Sequence, residues 1–341
     1  MQPLITAASS RGMEFVMEFM AKRYWRRLRP RATRIGMTDA AIERVASPSR
    51  PKAPWQVWRD AAGRLSPLRI AVLVFLLVPV AVAIADFNTE GFGARPLNNV
   101  IHRTGYWTLI FLMTSLAITP LRRIARFNLL VDVRRMIGVG AFAYAATHIS
   151  LYVADQMFDL WKVASEIALR LYLTIGFTAL LGLAALAVTS TDGMVRRLGG
   201  KRWQRLHNVI YVIGLLALIH YFQQTKADVA VPTFAAGLFG WMISYRLLIK
   251  FRNTRDEPPA WMLLLLSFII AALTFVAEAI GIGIVFNVSP FRVLESALDF
   301  DDLTMIRPGW LVLGAGLIVV AVDLVRARFG KRRKPSRAIP A

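Results

Sequence analysis

Eight apolar runs constrain this chain more than any other feature; they lie at roughly 68–86, 104–121, 136–154, 168–188, 207–222, 231–249, 260–280 and 309–325. About 20 apolar residues cross the hydrocarbon core of a bilayer as a helix. The fifth run is short by that measure, and the seventh continues to Val288. In hydrocarbon each backbone N–H and C=O must be satisfied within its own segment or a closed barrel. The alternating pattern of a barrel is absent, so the runs are expected to be helices. With 341 residues and 56% hydrophobic side chains, the chain reads as an all-α, polytopic membrane bundle.

The formal net charge of +21 raises the question of nucleic acid, and the distribution of the charge answers it. Lys and Arg gather before the first span, between spans two and three (Arg122, Arg123, Arg126, Arg134, Arg135) and between spans four and five (Arg196, Arg197, Lys201, Arg202, Arg205). They gather again after span six and in the tail from Arg326. The alternate segments hold seven: Arg95, Arg103, Lys162, Arg170, Lys226, Arg292 and Arg307. By the positive-inside rule both termini are expected in the cytoplasm of a bacterial inner-membrane protein. The basic clusters then face anionic membrane lipid rather than nucleic acid, for which no binding module is present.

There is no cysteine, which excludes disulfides, thiolate haem ligation and iron–sulfur clusters. More than sixty mostly polar and basic residues precede the first run, so a retained span is expected rather than a cleavable signal. Three segments follow from these patterns: 1–66, basic and cytoplasmic; 67–254, with six spans; and 255–341, which begins at RDEPPAW and adds two spans and the tail KRRKPSR. Within the first segment, EFVMEFMAKRYWRRLRPR fits a basic amphipathic helix on the inner leaflet. Met37 is an alternative start that would remove it.

His148 and His220 sit inside apolar runs, in AFAYAATHISLYV and IYVIGLLALIHYF. Ionisable side chains at such positions default to a functional reading. His148 lies 13 residues past Arg135 and His220 lies 15 past Arg205, at about 1.5 Å per residue, so the two reach a similar depth. Two imidazoles facing across a bundle are what axial ligation of a b-type haem requires. The competing reading of each is a hydrogen-bonded packing residue. His207 lies 13 residues before His220, near the opposite face, where span three carries Arg134 and Arg135 instead of a histidine. It could serve a second haem with another kind of ligand, bind a quinone, or cap the loop. Arg95 and Arg103 on one side, or Arg134, Arg135 and Arg205 on the other, could pair with haem propionates or simply mark the topology. His102 reads as an outer-loop residue and Glu278 as interfacial. No dinucleotide fingerprint, P-loop or HExxH is present, so electrons would have to come from a quinone or a separate reductase.

RPLNNVIHRTGYWTLIFLMTSLAITPLRR, VRRMIGVGAFAYAATHISLYV, TSTDGMVRRLGGKRWQRLHNVIYVIGLLALIHYFQQTKADV and SYRL resemble a known family over about 68–250. It is the haem-binding membrane subunit of the bacterial protein-methionine-sulfoxide reductase system (MsrQ type), within the ferric-reductase-like transmembrane group. The resemblance implies a six-helix cytochrome b with haem b, and flavin mononucleotide (FMN) as an associated cofactor. It also implies electron delivery from the quinone pool or a flavin reductase to a periplasmic molybdenum-containing subunit that repairs methionine sulfoxide. The family's functional histidines fall on His148, His207 and His220. The two C-terminal spans lie outside the resemblance and leave the acceptor open. The alternatives are a stand-alone ferric or quinone reductase, marked by an adjacent NADPH–flavin module, and a non-redox transporter or scaffold, marked by a colourless protein.

Overall fold

The computed structural model describes residues 57–59, 63–89, 93, 95–225, 228–252, 257–298 and 306–329. The expected surface helix near the N-terminus, Met37 and the tail KRRKPSR lie outside the described residues. The chain forms two compact units, Met1–Ile70 and Ala71–Ala341. In the first, Ser66 N–H donates to the Trp58 carbonyl at 3.0 Å and Arg59 Nη1 donates to Gly63 O at 2.8 Å, closing a short turn.

Twelve α-helices follow among the described residues: α1 Pro67–Thr89, α2 Pro96–Ile124, α3 Leu130–Asp155, α4 Leu160–Leu169, α5 Leu171–Val188, α6 Asp192–Leu198, α7 Gly200–His207, α8 Ile210–Gln224, α9 Ala230–Arg252, α10 Ala260–Phe286, α11 Pro290–Glu295 and α12 Pro308–Phe329. Eight membrane-crossing segments result, with α7 and α8 together supplying the fifth over Gly200–Gln224. The protein is an all-α, multi-pass membrane bundle. Large apolar residues such as Leu77, Leu181, Phe268 and Ile318 remain exposed along the helices, as lipid-facing surface requires.

Three local features differ from the reading of hydropathy alone. α2 starts at Pro96, so His102 and Arg103 are helical rather than in a loop; proline suits a first helical position, where its missing N–H is not needed. Residues 160–169 form a separate amphipathic helix, whose first turn is capped by Asp159 Oδ1 accepting from Lys162 N–H at 2.9 Å. Arg170 is extended (φ −107°, ψ 107°) and ends it before α5 begins. The fifth span is long enough because the basic stretch after Gly199 (φ 76°) is itself helical. A left-handed backbone favours glycine there.

Within the second unit α2, α3, α5 and α8 pack together, and α9, α10 and α12 form a neighbouring group that meets them through α9 and α12. Small residues permit close approach within the second group: a Cβ on Gly237 would lie 2.5 Å from Val312, and one on Gly316 would lie 2.3 Å from Ser267 Oγ. Trp241 Nε1 donates to Ser267 Oγ at 3.0 Å, joining α9 to α10. Pro120 inside α2 has no N–H to offer the Leu116 carbonyl. Arg246 of α9 supplies the donor instead, Nη2 to Leu116 O at 2.6 Å, while its guanidinium lies 5.2 Å from the Tyr211 ring. Arg246→Met is therefore expected to destabilise the protein by about 1–3 kcal/mol, the cost of an orphaned polar group. Adding Pro120→Ala should return part of that loss. Thermal unfolding of the two single variants and the double variant in detergent checks this; strictly additive effects would refute the link.

Candidate functional site

His148 on α3 and His220 on α8 meet inside the second unit. Their ring centroids are 6.4 Å apart with planes at 84°. His148 Nδ1 lies 2.8 Å from the Ile101 carbonyl of α2, and His220 Nδ1 lies 2.8 Å from the Tyr172 carbonyl of α5. A carbonyl can only accept, so each Nδ1 carries the proton and each Nε2 keeps its lone pair. That is the tautomer of a metal-ligating histidine oriented by a backbone acceptor. The spacing is informative too. A first-row metal binds imidazole nitrogen at about 2 Å, and the nitrogen sits roughly 1.1 Å from its ring centre, giving about 6 Å between two axial rings.

Neighbouring helices are shaped around both rings. A Cβ on Gly105 of α2 would lie 3.1 Å from His148 Cε1, and one on Gly176 of α5 would lie 2.7 Å from His220 Nδ1. The ring of Tyr172 stacks on His220 at 6.5 Å and 28°. The pair borders a cavity of about 270 Å³. Leu109, Leu112, Leu180 and Leu183 give it apolar walls, whereas Asn98, His102, Tyr152, Asp155, Tyr172 and Gln224 come from helix ends and make one polar mouth. Tyr152 Oη donates to Glu166 Oε2 at 3.1 Å, and Arg170 Nη2 pairs with Glu166 Oε1 at 2.9 Å beside that mouth.

The other sequence candidates are elsewhere. His207 ends α7, stacks on Trp203 at 3.8 Å and lies 3.2 Å from Thr189 Oγ1. Arg134 and Arg135 are close enough to act on it electrostatically. Arg135 is engaged by Asp192 at 2.6 Å, and Arg103 pairs with Asp86. Neither Arg103, Arg134, Arg135 nor His207 borders the cavity of the histidine pair. Among the described residues no group of three or more His, Cys, Asp or Glu is placed to hold a metal ion. Sequence reading missed Gly105, Gly176 and the two carbonyls, because nothing in a run of apolar residues marks which glycine faces a ring.

Arg135 holds the Asp192 carboxyl below the usual carboxylate range through a direct hydrogen bond and its charge. A depressed carboxyl adds stability above its ordinary pKa and loses it as pH falls through the folded value. Acidification below about pH 4 should lower the unfolding temperature of the wild type slightly more than that of Asp192→Asn. The effect is small because the Asp192 side chain is 75% exposed.

Comparison with known proteins shows the family. A model of the ferric reductase like transmembrane component matches residues 103–218, which include His148 and His207 and stop just before His220. The protein-methionine-sulfoxide reductase heme-binding subunit MsrQ of Rhodospirillum rubrum is 43% identical over 199 residues, covering 58% of this chain and 93% of the relative. The chain belongs to the MsrQ family. Two further MsrQ proteins, from Herminiimonas arsenicoxydans and Ralstonia nicotianae, are 38% and 39% identical and are covered over 85% and 90% of their lengths. Those matches span 55% and 56% of this chain, so this MsrQ-family chain carries a large additional portion. No solved structure matches it.

Proposed function

We propose that this chain is a membrane cytochrome b subunit, with haem b held between His148 and His220. It takes electrons from the quinone pool or a flavin reductase and passes them to a periplasmic molybdenum-containing chain that reduces protein methionine sulfoxide. The observation that carries the proposal is the facing pair: two imidazoles 6.4 Å apart, each with Nδ1 committed to a backbone carbonyl. The names of the relatives, as heme-binding subunits of a methionine-sulfoxide reductase, support both halves of the reading.

Haem, when bound, supplies a one-electron couple. The chain's own residues do the rest. Ile101 and Tyr172 carbonyls hold the imidazoles in one tautomer and orientation, which raises the basicity of Nε2. Leucines of α2 and α5 exclude water from the deep end, and burial of this kind tunes the potential. Asn98, His102 and Tyr172 at the mouth would hold the propionates by hydrogen bonds. His207, with Arg134 and Arg135 in its electrostatic field, is the place for a second anionic group, such as a further haem or FMN. The two-helix portion that follows residue 254 is proposed to be a separate segment added to the six-span core, in an inner-membrane protein with both termini cytoplasmic.

The test is a dithionite-reduced minus oxidised visible spectrum of the purified protein from haem-replete cells, with an acid extract assayed for flavin. Sharp low-spin b-type bands support the reading; a featureless spectrum sinks it and favours a transporter or scaffold. The match to the ferric reductase model favours one second reading, a stand-alone reductase. Rapid reduction of a ferric chelate by the reduced, partner-free protein would support that instead.

A further inference from the structure

A second cavity, of about 480 Å³, lies between α8, α9 and α10. Its apolar lining includes Phe222, Ile270, Leu273, Ile282 and Val285. Leu273 and Val285 are largely exposed on the helix surface, so the cavity borders the lipid-facing side of the bundle. Its polar groups are few: Gln223 and Thr225 at the end of α8, Thr233 near the start of α9, and Thr274 and Glu278 on α10.

Glu278 is the outlier. Hydropathy suggests an interfacial carboxylate, yet its side chain is only 4% exposed. One oxygen, Oε1, takes Arg307 Nη1 at 3.3 Å, and Arg307 in turn donates to Ser296 Oγ at 2.6 Å. Among the described residues no donor reaches Oε2. Glu278 lines the cavity, and its unpartnered Oε2 keeps some accessible surface, so it is free to accept from a group placed there. The Arg307 charge already balances the carboxylate, so the missing partner is a neutral hydrogen-bond donor rather than a cation.

The cavity also adjoins the histidine site. Phe222, Gln223 and Thr225 line it, while His220, Tyr221 and Gln224 of the same helix end line the first cavity. The two thus lie on different faces of the last turns of α8, about one helix diameter, ~10 Å, apart. The surroundings ask for a lipophile with an apolar body, a neutral hydroxyl donor and a route in from the bilayer.

We propose that this cavity binds the head of a lipophilic hydroquinone, with Glu278 accepting a hydrogen bond from one of its hydroxyls. The choice of a redox-active head rests on the electron-transfer reading above; the cavity and its acceptor do not. Such a site would give the α9–α10 portion of the chain a direct role in delivering the electron donor next to His220.

The experiment titrates the full-length protein in detergent with 2-heptyl-4-hydroxyquinoline N-oxide, an aromatic hydroxyl compound with an alkyl tail, and reads quenching of its fluorescence. Two variants accompany the wild type. Glu278→Gln removes the charged acceptor while keeping its shape. Gly281→Leu places a side chain at the cavity wall from a position where the added Cβ itself meets nothing within 4 Å, and its unfolding temperature is measured alongside to show that the fold is kept. At least a tenfold rise in Kd is expected in each, with the visible spectrum unchanged. Wild-type-like binding in both variants, no binding by the wild type, or loss of binding in His148→Ala alone would overturn the proposal. A colourless protein that still binds the probe through Glu278 would sink the haem reading and leave this site standing. A coloured protein that ignores the probe would do the reverse.

Discussion

His148→Ala and His220→Ala should each remove the low-spin b-type spectrum, reducing bound haem at least tenfold relative to the wild type. The expectation follows from geometry. The two Nε2 atoms are the free nitrogens of a pair whose Nδ1 atoms are each tied to a carbonyl, and the ring centroids stand 6.4 Å apart, a spacing that would let both hold one metal ion. No other histidine is held in that way. His102 sits at the mouth of the cavity and His207 beside Thr189, so neither can move into the vacated position without breaking its helix. His102→Ala should therefore keep the spectrum. His207→Ala decides the number of haems: unchanged absorbance per protein means one, and a loss of about half means two. A full spectrum in either His148→Ala or His220→Ala would refute the ligation proposed here. Haem content per protein, measured by extraction, is the number to compare.

Gly176→Val should be nearly as damaging although residue 176 has no side chain to lose. An added Cβ would lie 2.7 Å from His220 Nδ1 and 2.8 Å from Cε1. Atoms do not approach that closely, so the imidazole must turn away and give up its hydrogen bond to the Tyr172 carbonyl. Loss of such an orienting contact typically weakens metal affinity by about 10–100-fold. We expect at least a tenfold fall in haem affinity, read by titrating haem into the apoprotein. Gly105→Ala, where the Cβ would stand 3.1 Å from His148, should show a smaller change. The control is Gly281→Ala, which meets no neighbour and should leave haem affinity unaltered. Replacing a mid-helix glycine by alanine tends to stabilise a helix by about 1 kcal/mol. A protein that folds normally yet binds haem poorly would separate steric blockade from misfolding. Normal affinity in Gly176→Val would show that the ring is not held as described.

What was legible in the chain and what was not divides along a physical line. The number of spans and their helical character follow from hydropathy, because hydrocarbon leaves the backbone no other partner than its own segment. The comparable depths of His148 and His220 follow from counting residues along two helices that run the same way between basic ends. Family membership was readable in stretches such as GKRWQRLH, which the matches to MsrQ proteins support. Helix ends were less legible: α4 was invisible to a hydropathy window because it is amphipathic, with Asp159 capping a turn outside the apolar runs.

Which residues touch which was not legible at all. Arg103, a candidate for propionate binding by its position, is engaged by Asp86, while the polar mouth near the histidines is built from Asn98, Tyr152, Asp155 and Gln224, to which the sequence reading gave no role. Glu278 sits where residue counting puts the interface, but its burial depends on Arg307 arriving from 29 residues further along the chain. Glycine carries no outward sign of what it faces, and Gly176 and Gly237 look alike in sequence although one faces an imidazole and the other a valine. The apolar pattern alone thus determined that the chain spans a membrane as eight helices with two histidines at one level. Only the tertiary structure decided that those rings face each other with their Nε2 atoms free. The rotation of each helix is set by side-chain packing against its neighbours, and packing is a property of pairs of segments that no single segment encodes.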